Sequence, residues 1–350
     1  MIAFRFAFGW SSHRSGANQE SLAVDPARRP NIVLTVLDDV GFADVSYHTS
    51  DFSTPRIAEL AASGVRLEGH YMELVCSPSR AALMSGRYPF RTGMQHINTI
   101  QLGSVAHIPH TSPSLAEALG SAGYRCHAIG KWHVGSASAS DTPIGRGFSS
   151  FRGYYGAEVN YTSKESGENN RGFDFWNDEM PSWSDNTSYS SDAYSEQLRR
   201  VLTKHRIENA KRPAGTERPL FLYYAHQLVH FPLGVPPRPV PPSCKALIST
   251  PTRKVLCTMM VELDRLVGET VDLLHETQLW TNTLMWVLSD NGGNVEFTGP
   301  VHSRKSGSDL GTFPYSGSSN FPLRGGKGTV FEGGVRVASF VAADSWGGRV

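Results

Sequence analysis

Residues 31–37 (Asn-Ile-Val-Leu-Thr-Val-Leu) form an apolar, β-branched run that predicts a strand buried on both faces. The run stops abruptly at Asp38-Asp39. Similar strands are expected over 124–129, 220–225, 283–288 and 335–342, and the one over 283–288 ends at Ser289-Asp290-Asn291-Gly292-Gly293. Between them, apolar positions recur at helical spacing. Thr54 with Pro55 signals a helix over 54–62, with the threonine as N-cap. Pro78 opens and Gly86 closes a short helix over 77–86. Ser114 and Glu117 are spaced as a capping box for a helix over 114–122, stopped by Gly123. Longer helices are expected over 189–207 and 253–277; in the second, Val255, Met259, Leu263, Leu266, Val267 and Val271 share a core-packing face. Residues 136–190, rich in Ser, Gly, Asn and aromatics, lack a period and read as a long loop-dominated insertion. Strands alternating with helices define an α/β class: a large mixed, mostly parallel β-sheet sandwiched by helices. No internal repeat is present.

Length changes this picture little, since 350 residues suit one large α/β domain or two ordinary ones. Charge excludes more. With 33 Lys+Arg against 32 Asp+Glu, the balance of +1 gives no footprint for nucleic acid or an acidic membrane surface. No apolar stretch reaches the ~18 residues of a membrane span. Residues 1–29 read as a polar, poorly ordered leader; its apolar start, 1–10, is broken by Arg5 and makes a poor secretory signal. Four cysteines are too few for a disulfide scaffold. Cys244 and Cys257 form one bridge in an oxidising compartment and two ordinary thiols otherwise. The sequons at Asn160 and Asn186 lean towards a secretory route.

Candidate chemistry gathers at the strand tips, because ligands of open α/β sheets sit outside the carboxyl ends of the strands. Asp38, Asp39, Asp290 and Asn291 offer hard oxygen ligands, suited to Ca²⁺ or Mg²⁺ rather than zinc. Each pair also reads as a simple turn cap. A second concentration is Cys76-Ser77-Pro78-Ser79-Arg80. A cysteine at the opening of a helix faces free N–H groups that stabilise an anion, and Arg80, one turn on, adds fixed charge. A buried structural cysteine beside an exposed arginine is the plainer reading.

Cys76-x-Pro78-Ser79-Arg80, continued by Ser85-Gly86-Arg87, resembles the signature of the sulfatase family, in which the cysteine becomes Cα-formylglycine. Asp38-Asp39 and Ser289-Asp290-Asn291-Gly292 are similar to its two calcium-binding pairs. Gly130-Lys131-Trp132-His133-Val134-Gly135 is similar to its Gly-Lys-Trp-His-x-Gly element. The segments around His230-Phe231-Pro232 and Lys327 look like those that carry its substrate histidine and late lysine. The resemblance runs from Pro30 to the carboxyl end and looks closest to the arylsulfatases of the N-acetylgalactosamine-4-sulfatase group.

That resemblance implies the alkaline phosphatase/sulfatase-like fold and hydrolysis of sulfate monoesters, from an aryl sulfate or a sulfated glycosaminoglycan sugar such as N-acetylgalactosamine 4-sulfate. It implies Ca²⁺ on Asp38, Asp39, Asp290 and Asn291, with residue 76 also at the metal. Cys76 would be converted by the formylglycine-generating enzyme. Lys131, His133 and Lys327 would hold sulfate oxygens and Arg80 would order the nucleophile. His230, favoured over His226 by its His-x-Pro context, would protonate the leaving oxygen, with Lys327 as a second donor. Lysosomal or secreted localisation follows from the same likeness. Phe151, Tyr154, Tyr155 and Tyr161 are expected to pack their loop, with stacking on a sugar ring the alternative. Glycosaminoglycan-acting relatives carry a smaller carboxyl-terminal domain, so a catalytic domain over 30–350, truncated before that domain, is expected. Cys126 is then left over, with its partner expected in the missing portion. Competing readings are a phosphoester or phosphonate hydrolase of the same superfamily, and an inactive fragment that binds sulfated glycans.

Overall fold

Strict alternation along the strands sends side chains into two separate cores, one on each side of the sheet. The computed structural model describes residues 29–48, 51, 53–95, 100–167, 172–247, 249–295 and 316–344. The leader expected over 1–29 lies outside the described residues except for Arg29, and so does the chain beyond 344. In chain order the strands are β1 (Asn31–Leu37), β2 (Val65–Arg66), β3 (Arg125–Lys131), β4 (Phe151–Tyr154), β5 (Trp176–Asn177), β6 (Met180–Pro181), β7 (Leu220–Ala225), β8 (Thr283–Ser289) and β9 (Ser339–Ala343). They form one sheet in the order β2-β9-β8-β1-β7-β3-β4-β5-β6. Its centre, β8-β1-β7-β3-β4, is parallel, and antiparallel strands flank it on both sides. This is the mixed, mostly parallel sheet expected from the sequence.

The helices are α1 (Pro55–Ala62), α2 (Cys76–Ser85), α3 (Pro89–Thr92), α4 (Leu115–Ser121), α5 (Ser190–Ala210), α6 (Pro242–Ala246), α7 (Pro251–Glu276) and α8 (Glu332–Val335). On β7, Leu220, Leu222 and Tyr224 face one core with α1, α5 and α7; Phe221, Tyr223 and Ala225 face the other with α2 and α4. The expected face of α7 packs as read: Met259, Leu263, Leu266 and Val267 are fully buried, with Val255 and Val271 at the edge. Cys244 and Cys257 are bridged, tying α6 to α7.

Several expectations need correction. The helix over 77–86 begins one residue earlier, so Cys76 lies in its first turn; Gly86 ends it in the left-handed conformation. Pro78 costs no hydrogen bond there, because N–H groups of the first turn have no intrahelical acceptor. Thr54 precedes α1, but its hydroxyl accepts from the Ser46 N–H (2.9 Å) instead of capping the helix. Ser114 and Glu117 do form the capping box. The strand expected over 335–342 starts at Ser339, because Glu332–Val335 closes a helical turn first. The insertion over 136–190 is not merely loop: β4 joins the parallel sheet beside β3, and β5 and β6 extend its edge. Phe151, Tyr154, Tyr155 and Tyr161 are all buried, so they pack the protein and cannot stack on a sugar. Cys126 is also buried in the α2–α4 core, its thiol donating to Ala116 O (3.4 Å) and pushed up to about 11 by burial. Among the described residues no helix is long and apolar enough to cross a membrane.

Candidate active site

Four adjacent strands deliver the candidate residues to one edge of the sheet. Parallel pairing sets Leu37 of β1 beside Ser289 of β8, Val36 beside Ala225 of β7, and Ala225 beside Gly130 of β3. The residues that follow therefore emerge together: Asp38 and Asp39 from β1, Asp290 and Asn291 from β8, His230 beyond β7, and Lys131 and His133 at the end of β3. Beyond the strand ends, the Asp38 N–H still donates to Leu228 O (3.0 Å) and the Asp290 N–H to Leu37 O (3.0 Å), which fixes the tips. Asp39 then turns at φ 61°, a left-handed conformation more accessible to Asp than to branched residues. Gly130 is required at φ +97°, since a Cβ there would stand 1.7 Å from Ala225 O.

The charges are buried and interleaved. Lys131 Nζ donates to Asp38 Oδ2 (2.8 Å), and Lys327 Nζ lies 2.7 Å from Asp39 Oδ1. The Arg80 guanidinium donates twice to Asp290 Oδ2 (3.1 and 2.8 Å), and also to Lys131 O and the Tyr223 hydroxyl. Arg80 is therefore not the exposed arginine of the plain reading. Burial pushes the Asp39 carboxyl up, but Lys327 and His230 outweigh it and hold the group well below the usual carboxylate range. Asp290 goes the other way, pushed up to about 6 by burial and then by the charge of Asp38. Three carboxylates and three cations thus share one buried cluster.

Cys76 Sγ, which marks where a formylglycine side chain would stand, belongs to this cluster. Burial raises the thiol, yet Lys131, Lys327 and a hydrogen bond with His230 bring it below its ordinary value. Burial, with Lys327 and Lys131, keeps His230 neutral to lower pH than a free imidazole. Its Nε2 lies 3.7 Å from Asp39 Oδ2, and Nδ1 pairs with Phe231 O. His226 is elsewhere: it is fully buried on the other side, where its charged neighbours are Glu262 and Arg265 of α7. His133 turns back at φ 56°; its Nε2 lies 2.8 Å from Ser77 Oγ and 2.8 Å from Ile100 O, linking the β3 tip to the start of α2.

The donor set fits a hard divalent cation. Asp38 Oδ1 and Asn291 Oδ1 are buried oxygens without a hydrogen-bond donor, an arrangement that costs free energy unless something positive faces them. Asp38, Asp39 and His230 also present ligand atoms within 4.8 Å of one another.

Two participants escaped the sequence reading. Glu158 sits 4.0 Å from His230 Nδ1. Asn320 holds the lysine loop: its amide donates to Gly293 O (2.9 Å) and Gly325 O (3.1 Å) while its oxygen accepts from the Gly293 N–H (2.9 Å). Neither lies in a patterned segment, so only tertiary placement reveals them.

A mixed, mostly parallel sheet with helices on both faces, carrying interleaved carboxylates and cations at its strand tips, defines an alkaline phosphatase-like α/β protein. The chain belongs to the sulfatase family: the family profile "Sulfatase" matches residues 30–345. It is similar to arylsulfatase J of Mus musculus, 33% identical over 316 residues, which is 89% of this chain and 48% of that protein. N-acetylgalactosamine-6-sulfatase of Sus scrofa is 29% identical over 315 residues, covering 88% of this chain and 56% of the relative. Among solved structures, Ps i-CgsB superposes with a TM-score of 0.74 at 31% identity, over 91% of this chain and 66% of that one; its complex with k-i-k-neocarrahexaose is also known. The chain spans about half the length of the curated relatives it matches.

Proposed function

We propose that the protein hydrolyses sulfate monoesters of a carbohydrate, with residue 76 in its formylglycine form and Ca²⁺ held by Asp38, Asp39, Asp290 and Asn291. The observation that carries this is the position of Cys76 Sγ, in the first turn of α2, under the combined influence of Lys131, Lys327 and His230. A formylglycine hydrate there would supply one hydroxyl as the nucleophile for sulfur; loss of the proton from the second would break the C–O bond to sulfate and re-form the aldehyde. Ca²⁺ on those four residues would supply positive charge to the reacting oxygens. The chain's own side chains do the remainder. Lys131 and Lys327, both kept charged in the site, bind sulfate oxygens, and His133 orders the wall they stand on. Arg80 holds Asp290 in place as a ligand. His230, whose imidazole is held below its ordinary pKa by burial and by Lys327 and Lys131, takes the proton that the attacking hydroxyl gives up and passes it to the leaving alcohol.

The sugar is proposed from likeness: relatives named N-acetylgalactosamine-6-sulfatase, and a structure solved with a neocarrahexaose, support a sulfated sugar, while the 4-sulfate position of N-acetylgalactosamine rests on the sequence resemblance alone. The Cys244–Cys257 bridge supports an oxidising compartment, and with it the secretory route on which a formylglycine-generating enzyme acts. The test is to express the full chain with that enzyme, follow 4-nitrocatechol sulfate cleavage, and weigh the residue-76 peptide by mass spectrometry. Turnover should accompany the cysteine-to-aldehyde mass change and vanish in Cys76→Ala. Activity persisting in that variant, or a phosphate ester outcompeting the matched sulfate ester in kcat/KM, would overturn the proposal.

A further inference from the structure

Away from the sulfate site, the loop before α4 and the turn after β3 bring two histidines and a carboxylate together. His110 Nε2 lies 2.9 Å from Asp141 Oδ1, and His107 Nδ1 lies 3.4 Å from the same oxygen. The two imidazole rings are 5.2 Å apart, and the three candidate ligand atoms all fall within 4.8 Å of one another. From these residues we propose a second metal site, built for a borderline divalent transition metal such as Zn²⁺.

Four ligands about 2.0–2.1 Å from a tetrahedral zinc are separated from each other by about 3.3 Å, so the two measured separations are those of a site needing little rearrangement. The carboxylate is already oriented: Ser138 donates its N–H (2.9 Å) and its hydroxyl (2.8 Å) to Asp141 Oδ2, which leaves Oδ1 for the histidines. Ligands aimed by such outer partners are what a metal site requires. His107 Nδ1 also stands 3.0 Å from Ile108 O, but Arg146 Nη1 donates to that carbonyl at 2.7 Å. The imidazole can therefore give its lone pair to a metal without orphaning a buried acceptor. A pure ion-pair reading is weaker, because two imidazolium rings this close repel and one carboxylate neutralises only one of them. Asp141 is buried while His107 is half-buried and His110 exposed, so a cation can enter from solvent and keep a water as fourth ligand.

The site has a structural reach. Trp132 Nε1 donates to Gly135 O (2.8 Å) and to Asp141 O (3.1 Å), and a Cβ on Gly135 would stand 2.3 Å from His107 Cβ. A metal here ties the 107–110 loop to the segment that follows His133, sharing no residue with the calcium set.

The experiment uses the full chain carrying no histidine tag, stripped with EDTA and then saturated with Ca²⁺ so that the carboxylate cluster is filled. Calorimetric titration with ZnCl₂ should show one further equivalent bound. His107→Ala and His110→Ala should each weaken it more than about tenfold, and the double variant should lose it. A wild type that takes up no zinc beyond the calcium-filled state, or a double variant that binds it unchanged, overturns the proposal. Carbethoxylation of the wild type gives a second measurement independent of any variant. Zn²⁺ should protect His107 and His110 from the reagent, and equal modification with and without saturating Zn²⁺ also overturns it.

Discussion

Replacing His226 with phenylalanine should stabilise the protein in acid far more than at neutral pH. The ring is fully buried, sits 4.0 Å from that of Tyr224, and neither nitrogen has a hydrogen-bond partner. Burial first, then the nearby Arg265, lower its pKa from 6.5 to about 3, with Glu262 opposing them. The folded pKa is therefore depressed below that of the unfolded chain. As pH falls below 6.5 the unfolded chain takes up a proton that the folded one refuses, and stability drains away until pH nears about 3. Each unit costs about 1.4 kcal/mol, so two units of descent, to roughly pH 4.5, remove about 2.7 kcal/mol on this group alone. Phenylalanine does not titrate. Its extra bulk, and the relief of two unpaired nitrogens, act equally at every pH and cancel in a difference between conditions. Four urea-unfolding curves settle the matter: wild type and variant, near pH 7.5 and near pH 4.5, where the protein remains folded. The variant's advantage should grow by about 2.7 kcal/mol between the two pH values. Growth below about 0.5 kcal/mol would show that the imidazole is hydrated or already charged in the fold, and the reasoning would fail.

Three further outcomes are expected. Gly130→Ala, whose new Cβ would collide with Ala225 O at 1.7 Å, should abolish soluble expression or catalysis, and a soluble, fully active variant would refute the strand geometry. Arg253→Met strips Asp44 of its buried partner, 2.5 Å away, and should cost about 3–5 kcal/mol by urea unfolding; a loss under about 1 kcal/mol would contradict the pairing. Cys257→Ser opens a bridge spanning 13 residues and should lower stability by about 3 kcal/mol, and adding reductant to the wild type should reproduce the loss.

What the sequence made legible follows from which interactions are local. The runs 31–37 and 220–225 match β1 and β7 to the residue, because a strand buried on both faces writes itself as an unbroken apolar stretch. Ser114 with Glu117 announced the start of α4 because a capping box lies within four residues. β4 was missed because it is short, carries Arg152 and Gly153, and owes its strand conformation to pairing with β3 rather than to its own composition. The same holds at the site. Asp38, Asp39, Asp290, Asn291, Cys76 and Lys131 were readable because each sits in a motif tied to a strand end or helix start. Glu158, Asn320 and the His107–His110–Asp141 cluster lie in segments without a period. Their meaning arises only when distant loops meet.

Core and site are specified by the same residues. A slip of one residue along β1 would carry Asp38 about 3.3 Å and turn its side chain to the opposite face of the sheet. The 2.8 Å contact with Lys131 would not survive that move. What forbids the slip is the alternation beneath it: Val33 and Leu37 fill one core while Leu34 and Val36 fill the other. Thr35 is the exception on that strand, its hydroxyl buried without a partner, and it does not weaken the register because both neighbours remain apolar. Parallel pairing then passes the register of β1 to β8 and β7, and from β7 to β3. The positions of three carboxylates and of Lys131 are thus consequences of hydrophobic packing several residues away. Precision at the strand tips needs no rigidity of its own there; it is inherited from strands that have only one way to be buried.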